Sequence, residues 1–145
     1  MSDDLTWLLI KNRSSFLVKR NGAEFNSEPN NLTNLNSFKY SGLANKKAIG
    51  VKDGPTNYKG VTVVTKKTNV ASYKPAKSIN KVILTKGVRK SAKSFTSQFT
   101  KSHYRPDLRK AALARISAIY QSQKPVKVHA RKTGRRHTKK QKQIK

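Results

Sequence analysis

The chain has 145 residues, with 33 Lys and Arg against six Asp and Glu and a formal net charge of +27. With 34% hydrophobic residues it can bury only a modest core, within one domain plus appendages or two small lobes. The absence of cysteine excludes disulfides and thiolate metal sites, and no apolar run approaches the ~20 residues of a membrane helix.

The charge is uneven. Residues 1–50 carry +3, residues 51–100 carry +10 and residues 101–145 carry +14. Like charges at that density repel one another, and a polyanion relieves the repulsion. The composition therefore points to a nucleic acid bound through its phosphates.

Ser2 before Asp3 and Asp4 reads as an N-cap with acids in the first turn. It predicts a short helix over 3–11 with Leu5, Leu8 and Leu9 on one face and Trp7 in the core. Leu5–Ile10 is too short, and too acidic upstream, for a secretory signal. Phe16–Arg20 reads as a strand, Asn21-Gly22 as a type I′ turn, and Ala23–Asn26 as the returning strand, with Phe25 meeting Phe16 or Val18. Glu28–Asn36, with Pro29 and several Asn, is expected to be a loop held by side-chain amides. Ser37–Ser41 alternates and predicts a strand. Ile49–Lys52 and Gly60–Lys67 predict two more, joined through Asp53-Gly54-Pro55.

Lys67–Ser78 lacks periodicity and reads as a linker. Beyond it the pattern turns helical: Leu84, Val88, Ala92, Phe95 and Phe99 fall on one stripe, with Lys86, Arg89, Lys90, Lys93 and Lys101 opposite. Gly87 leaves the start of that helix open. Pro106 and Asp107 open a further helix, with Leu108, Ala112, Leu113, Ile116, Ile119 and Tyr120 on its apolar arc, ended by Pro125. Lys124–Lys145 holds ten Lys and Arg and no acid. It has too few apolar residues to fold alone and is expected to be disordered without RNA.

No catalytic constellation is present. Asp3 and Asp4 serve as capping acids, Asp53 a turn and Asp107 a helix start. Glu24 and Glu28 are expected to pair with Lys19 or Arg20 along the hairpin edge. His103, His129 and His137 have no cysteine and too few carboxylates beside them for zinc. None of the seven glycines lies in a GxxxxGK phosphate loop. The chain is read as non-enzymatic, with no cofactor, metal or small-molecule substrate. Charge does not decide between DNA and RNA. No homeodomain, basic-zipper, zinc-finger or aromatic RNP pattern is present. The tail suits backbone threading through folded RNA, and a histone-like tail answers the same description.

Specific strings carry a resemblance. They are Ser14-Ser15-Phe16-Leu17-Val18-Lys19-Arg20, Glu28-Pro29-Asn30-Asn31-Leu32, Asn36-Ser37-Phe38-Lys39-Tyr40-Ser41-Gly42-Leu43, Tyr104-Arg105-Pro106-Asp107-Leu108-Arg109 with Ala111-Ala112, and Ser122-Gln123-Lys124-Pro125-Val126. In that order they resemble the L28e family, the eukaryote-specific large-subunit (60S) ribosomal proteins numbered twenty-eight. The resemblance implies a structural constituent of the cytosolic ribosome that supports translation, reached through the nucleolus during assembly. It implies contacts with large-subunit rRNA, including expansion segments, and with neighbouring 60S proteins, with no membrane partner and no homo-oligomer. It also implies an α+β amino-terminal domain with helical and extended carboxy-terminal parts. The Asp53–Lys59 loop and the tail past Ala130 depart from the family pattern, and RNA contacts there rest on charge alone. A nucleolar large-subunit assembly factor shares the amino-terminal domain, but carries cysteines and a long acidic extension that this chain lacks. A chromatin-type DNA-binding protein is a third reading.

The expected organisation is an α+β globular domain over 1–67, with a small helix and antiparallel β-hairpins, and a linker over 68–78. Two amphipathic helices form an rRNA-binding segment over 79–123, followed by a basic tail over 124–145. The candidate RNA-binding residues in the first part are Lys19, Arg20, Lys39, Tyr40, Lys46 and Lys47. The helical segment adds Lys86, Arg89, Lys90, Lys93, Lys101, Tyr104, Arg105, Arg109, Lys110 and Arg115. The tail adds Lys124, Lys127, Arg131, Lys132, Arg135, Arg136, Lys139 and Lys140.

Overall fold

The computed structural model describes residues 2–55, 59–70, 74–126 and 128. Helix α1 spans Asp3–Ile10. The Ser2 hydroxyl accepts from the Leu5 N–H at 3.2 Å, and Asp3 and Asp4 occupy the positive end of the helix. Its leucines, Leu5, Leu8 and Leu9, are exposed. Trp7 does not reach the core as expected. It is half-buried and tilts against Phe38 with ring centroids 6.1 Å apart.

Strands β1 (Leu17–Arg20) and β2 (Ala23–Asn26) form the expected hairpin, with Val18 opposite Phe25 and Lys19 opposite Glu24. Asn21 and Gly22 take φ values of 49° and 76°, the left-handed pair that a type I′ turn needs. The loop that follows is held by amides. The Asn31 side-chain Oδ1 accepts from Asn34 N–H at 2.8 Å and Thr33 N–H at 3.1 Å, and its Nδ2 donates to the Leu35 carbonyl at 2.9 Å.

Two local expectations are corrected here. Glu28 does not pair with the hairpin cations. It is buried, accepting from the Gly42 N–H at 2.9 Å and the Ser41 hydroxyl at 3.2 Å. The Asn26 carboxamide oxygen, accepting from the Glu28 N–H at 3.0 Å, turns the chain so that this side chain runs inward. Ser37–Ser41 is not a strand, because Phe38–Tyr40 forms a 3₁₀ turn closed by the Ser41 N–H on the Ser37 carbonyl at 3.0 Å. That turn brings Ser41 and Gly42 to the Glu28 carboxylate.

Strands β3 (Ile49–Asp53), β4 (Val61–Lys66) and β5 (Ile79–Leu84) make an antiparallel sheet in that order. β5 corrects the helical reading of this stretch: Ile79 pairs with Lys66 and Leu84 with Val61. Residues 67–78 connect β4 to β5, and the Lys67 N–H closes on the Ser78 carbonyl at 2.7 Å. On the face of the sheet carrying Gly50, the loop lies so close that a Cβ there would stand 2.4 Å from the Asn30 amide oxygen and 3.0 Å from the Asn30 Cα, an approach that glycine makes easy.

The other face carries Ile49, Val51, Val61, Val63 and Leu84 into the core. Helix α2 (Gly87–Phe95), a π-helical turn over Thr96–Thr100, a 3₁₀ turn over Pro106–Leu108 and helix α3 (Arg109–Ser122) cover it with Phe95, Phe99, Leu108, Ala112, Ile116 and Tyr120. The buried face of α2 is rotated from the expected stripe: Ser91 is buried and Val88 is exposed. Ser91 turns inward because its hydroxyl meets the Tyr120 hydroxyl at 2.8 Å, and that hydroxyl donates to the Leu84 carbonyl at 2.9 Å. Beyond the end of α3, Gln123 bonds both the N–H (2.9 Å) and the carbonyl (2.7 Å) of Gly60, fixing the helix to the start of β4.

Ile116 is fully buried whereas Leu8 is 71% exposed. Ile116→Ala should cost about 2–5 kcal/mol of unfolding free energy, and Leu8→Ala should fall within about 0.5 kcal/mol of the unaltered chain. Denaturant titration of the two variants checks this.

Candidate nucleic-acid interface

The exposed cations divide by what holds them. On α2, Arg89, Lys90 and Lys93 are exposed, as is Lys86 at its N-cap position, and none has a carboxylate partner among the described residues. This is an unusual place for them. A helix N-terminus carries positive dipole charge that acids normally offset, and the first turn of α2 has none. Arg109 and Lys110 are exposed in the first turn of α3, again without an acid there. Lys101 and Lys124 are exposed as well.

Other candidate residues are engaged within the chain. Lys19 pairs with Glu24 at 2.9 Å across the hairpin, and that bond, with a second from Asn36, holds the Glu24 carboxyl below its usual range. Lys46 faces Asp3 at 3.9 Å. Lys39 lies 5.7 Å from the Tyr40 ring centre and Lys47 lies 5.8 Å from that of Tyr104. Arg20 is exposed and has no partner among the described residues.

Tyr104 and Arg105 are turned toward the protein. The Tyr104 hydroxyl donates to the Lys66 carbonyl, and burial raises its pKa above the ordinary tyrosine value. Arg105, whose side chain is only 15% exposed, donates to the Lys47 carbonyl at 2.7 Å and the Lys39 carbonyl at 2.9 Å. Two more of its bonds, both 2.9 Å, go to the Asp107 carboxylate. The Arg105 hydrogen bonds hold the Asp107 carboxyl below the usual aspartate range. These residues tie the loop before α3 to the segment leading into β3. Arg115 is half-buried and donates to the Leu32 carbonyl at 3.4 Å. Lys127, Arg131, Lys132, Arg135, Arg136, Lys139 and Lys140 lie outside the described residues.

Sequence reasoning missed Lys52, which is exposed on β3. It also missed the amide loop as a surface: Lys52, Arg115, Asn30 and Asn34 line one depression. The signal for the loop was its run of asparagines, which tolerate the left-handed backbone found at Asn30 (65°) and Asn34 (57°). A further surface is apolar. Val18, Phe25 and Leu35 sit side by side across β1, β2 and a single bridge, all exposed, and Phe16, just before β1, is exposed as well. Among the described residues no cluster of three or more His, Cys, Asp or Glu could hold a metal, and no helix is long and apolar enough to cross a membrane.

Residues 5–122 match the model of the ribosomal L28e protein family, a span running from α1 to the end of α3. The chain is 41% identical to the large ribosomal subunit protein eL28 of Schizosaccharomyces pombe over 134 residues, covering 90% of this chain and 98% of that protein. It is 34% identical to the large ribosomal subunit protein eL28 of Dictyostelium discoideum over 138 residues, covering 94% and 100%. The protein of that name from Caenorhabditis elegans is 40% identical over 121 residues, covering 79% and 90%.

Arg105→Ala should destabilise the fold by about 1–3 kcal/mol, because it strands the Lys39 and Lys47 carbonyls together with the Asp107 carboxylate. Arg105→Lys should not rescue it, since an ammonium cannot span three acceptors as a planar fork does. The pH dependence has a definite sign. A carboxyl with a depressed folded-state pKa stabilises above its unfolded pKa of about 4 and loses that contribution as pH falls through the folded value. Melting temperatures between neutral and strongly acid pH should therefore fall less for Asp107→Asn than for the unaltered chain.

Proposed function

Since this chain belongs to the ribosomal L28e protein family, we propose that it is a structural, non-catalytic constituent of the large ribosomal subunit that holds rRNA through phosphate contacts. The observation that carries the reading is the run Lys86, Arg89, Lys90 and Lys93 along α2, exposed and without carboxylate partners among the described residues. Lys86, Arg89 and Lys90 stand at the positive end of the helix, where they repel one another and the dipole, and Lys93 adds to the same field one turn on. Phosphates relieve both, and backbone N–H groups at the same end add donors.

Arg109, Lys110 and Lys101 extend the phosphate-facing surface, and the ten cations of Lys124–Lys145 add the strongest concentration of charge. Expansion segments of the rRNA are the expected ligands of these parts. The exposed apolar row of Phe16, Val18, Phe25 and Leu35 suits a neighbouring ribosomal protein, because a phosphate backbone gains nothing from it. Work in the cytosolic ribosome, after passage through the nucleolus, follows from the same reading.

Replacing Lys86, Arg89, Lys90 and Lys93 together by Gln should leave the melting temperature unchanged or raised. It should weaken rRNA binding and flatten the plot of log affinity against log salt by about 0.7–0.9 per lost contact. Deleting 124–145 should flatten it further, by several units. Unchanged slopes would show that neither region meets phosphate. Co-sedimentation of the native chain with mature 60S subunits, rather than with pre-60S particles or chromatin, is the expected outcome in cells.

A further inference from the structure

We infer that the depression between the asparagine loop and α3 seats a single extruded nucleotide of the bound RNA, its base edge on Asn30 and Asn34 and its phosphate on Lys52 and Arg115. The inference rests on the RNA-binding reading above.

The depression encloses about 360 Å³. That lies at the small end of the range for small-ligand sites, room for one nucleotide and not for a duplex. Its polar groups come from three separate elements: the loop after β2, strand β3 and helix α3. Asn31 at its floor is fully used, binding Leu35, Thr33, Asn34 and Glu28. Asn30 and Asn34 are different. Each lies in left-handed backbone, and neither side-chain amide makes a hydrogen bond within the described residues. Asn30 is held in place against Gly50 and is half-buried, so its free donors and acceptor are part-removed from water. An asparagine amide offers a donor and an acceptor in one plane, the arrangement that meets the adenine N6/N7 edge.

Charge assigns the two ends of the ligand. Lys52 has no partner among the described residues, and Arg115 spends one of its N–H groups on the Leu32 carbonyl. Both are free to take a phosphate. Glu28 is the carboxylate of the lining, and its oxygens already accept from Gly42, Ser41 and Asn31. Its charge turns a phosphate toward Lys52 and Arg115 and leaves the neutral base over the amides. An arginine from a neighbouring protein would face Lys52 and Arg115, and an acidic side chain would leave the amides unpaired. A nucleotide meets all four groups with one ligand. Bases that can be splayed from their stacks are what RNA-binding proteins read.

The test uses large subunits carrying the full chain, irradiated with ultraviolet light and digested with trypsin. Cleavage after Arg20 and Lys39 places Asn30 and Asn34 on one peptide, 21–39. The expected result is one rRNA nucleotide attached to that peptide. Asn30→Gly with Asn34→Gly removes both amides while keeping backbone that glycine adopts freely. It should reduce this adduct at least tenfold, raise the reactivity of the same nucleotide toward 2′-hydroxyl acylation, and leave adducts on α2 in place. Lys52→Gln, at an exposed position the fold does not use, should reduce the adduct severalfold. Adducts on α2 with none on 21–39 would sink the nucleotide site alone. So would an unchanged adduct in the variants, or a cross-link from 21–39 to a protein. No adduct anywhere on the chain would overturn the RNA-binding reading with it.

Discussion

Thirty-three cations share six carboxylates in this chain, so ion pairs cannot hold it together. Asp3, Glu24 and Asp107 each engage one cation, and Glu28 is spent on neutral donors. Inward-facing cations are satisfied by backbone carbonyls, Arg105 in addition to its Asp107 pair. Arg105 takes those of Lys39 and Lys47, Lys66 that of Asn45 at 3.2 Å, and Arg115 that of Leu32. A carbonyl accepts a charged donor strongly and adds no net charge of its own. Lys66 shows the cost: its burial depresses its pKa despite the attraction of Glu28 and Asp3. The arrangement keeps charge near the core without drawing on further acids, of which the chain has six.

Carbonyl capture also joins segments far apart in the chain. Arg105 and Tyr104 link the turn before α3 to residues near 39, 47 and 66, and Gln123 links the end of α3 to Gly60. Together with the shared apolar cluster they make sheet and helices one packed unit. The cations left on the outside of α2 and on the first turn of α3 are thereby held on rigid elements. The family match covers all of these elements.

Features written in neighbouring residues were legible from the sequence. Asn21-Gly22 gave the hairpin, Ser2 with Asp3 and Asp4 gave α1, the valines of 61–64 gave β4, and Pro106 gave the start of the last helical stretch. What escaped depends on distant partners. Ile79–Leu84 carries apolar residues at 79, 82, 83 and 84, a spacing that suits a helix as well as a strand. Its pairing with β4 decides the matter. Ser37–Ser41 alternates like a strand, yet it must turn to serve Glu28, whose partners lie 13 and 14 residues away. Ser91 lies off the apolar stripe of that helix, and only Tyr120, 29 residues on, turns it inward. The candidate surface was legible as exposed charge, in α2 above all. Which cations face inward was not, because Arg105 and Arg109 differ only in the carbonyls that fold brings within reach of the first.

Among the described residues strand β5 bonds to β4 on one side only, so its other side presents unpaired backbone groups there beside exposed Ile79 and Ile83. Such an edge is a template on which a second copy could add. Lys81 stands in the middle of it, exposed, where any copy laid alongside would have to confront a like charge. A lysine at that position places charge where an added strand would need a neutral backbone edge, so the excess of cations bears on strand pairing as well as on ligands.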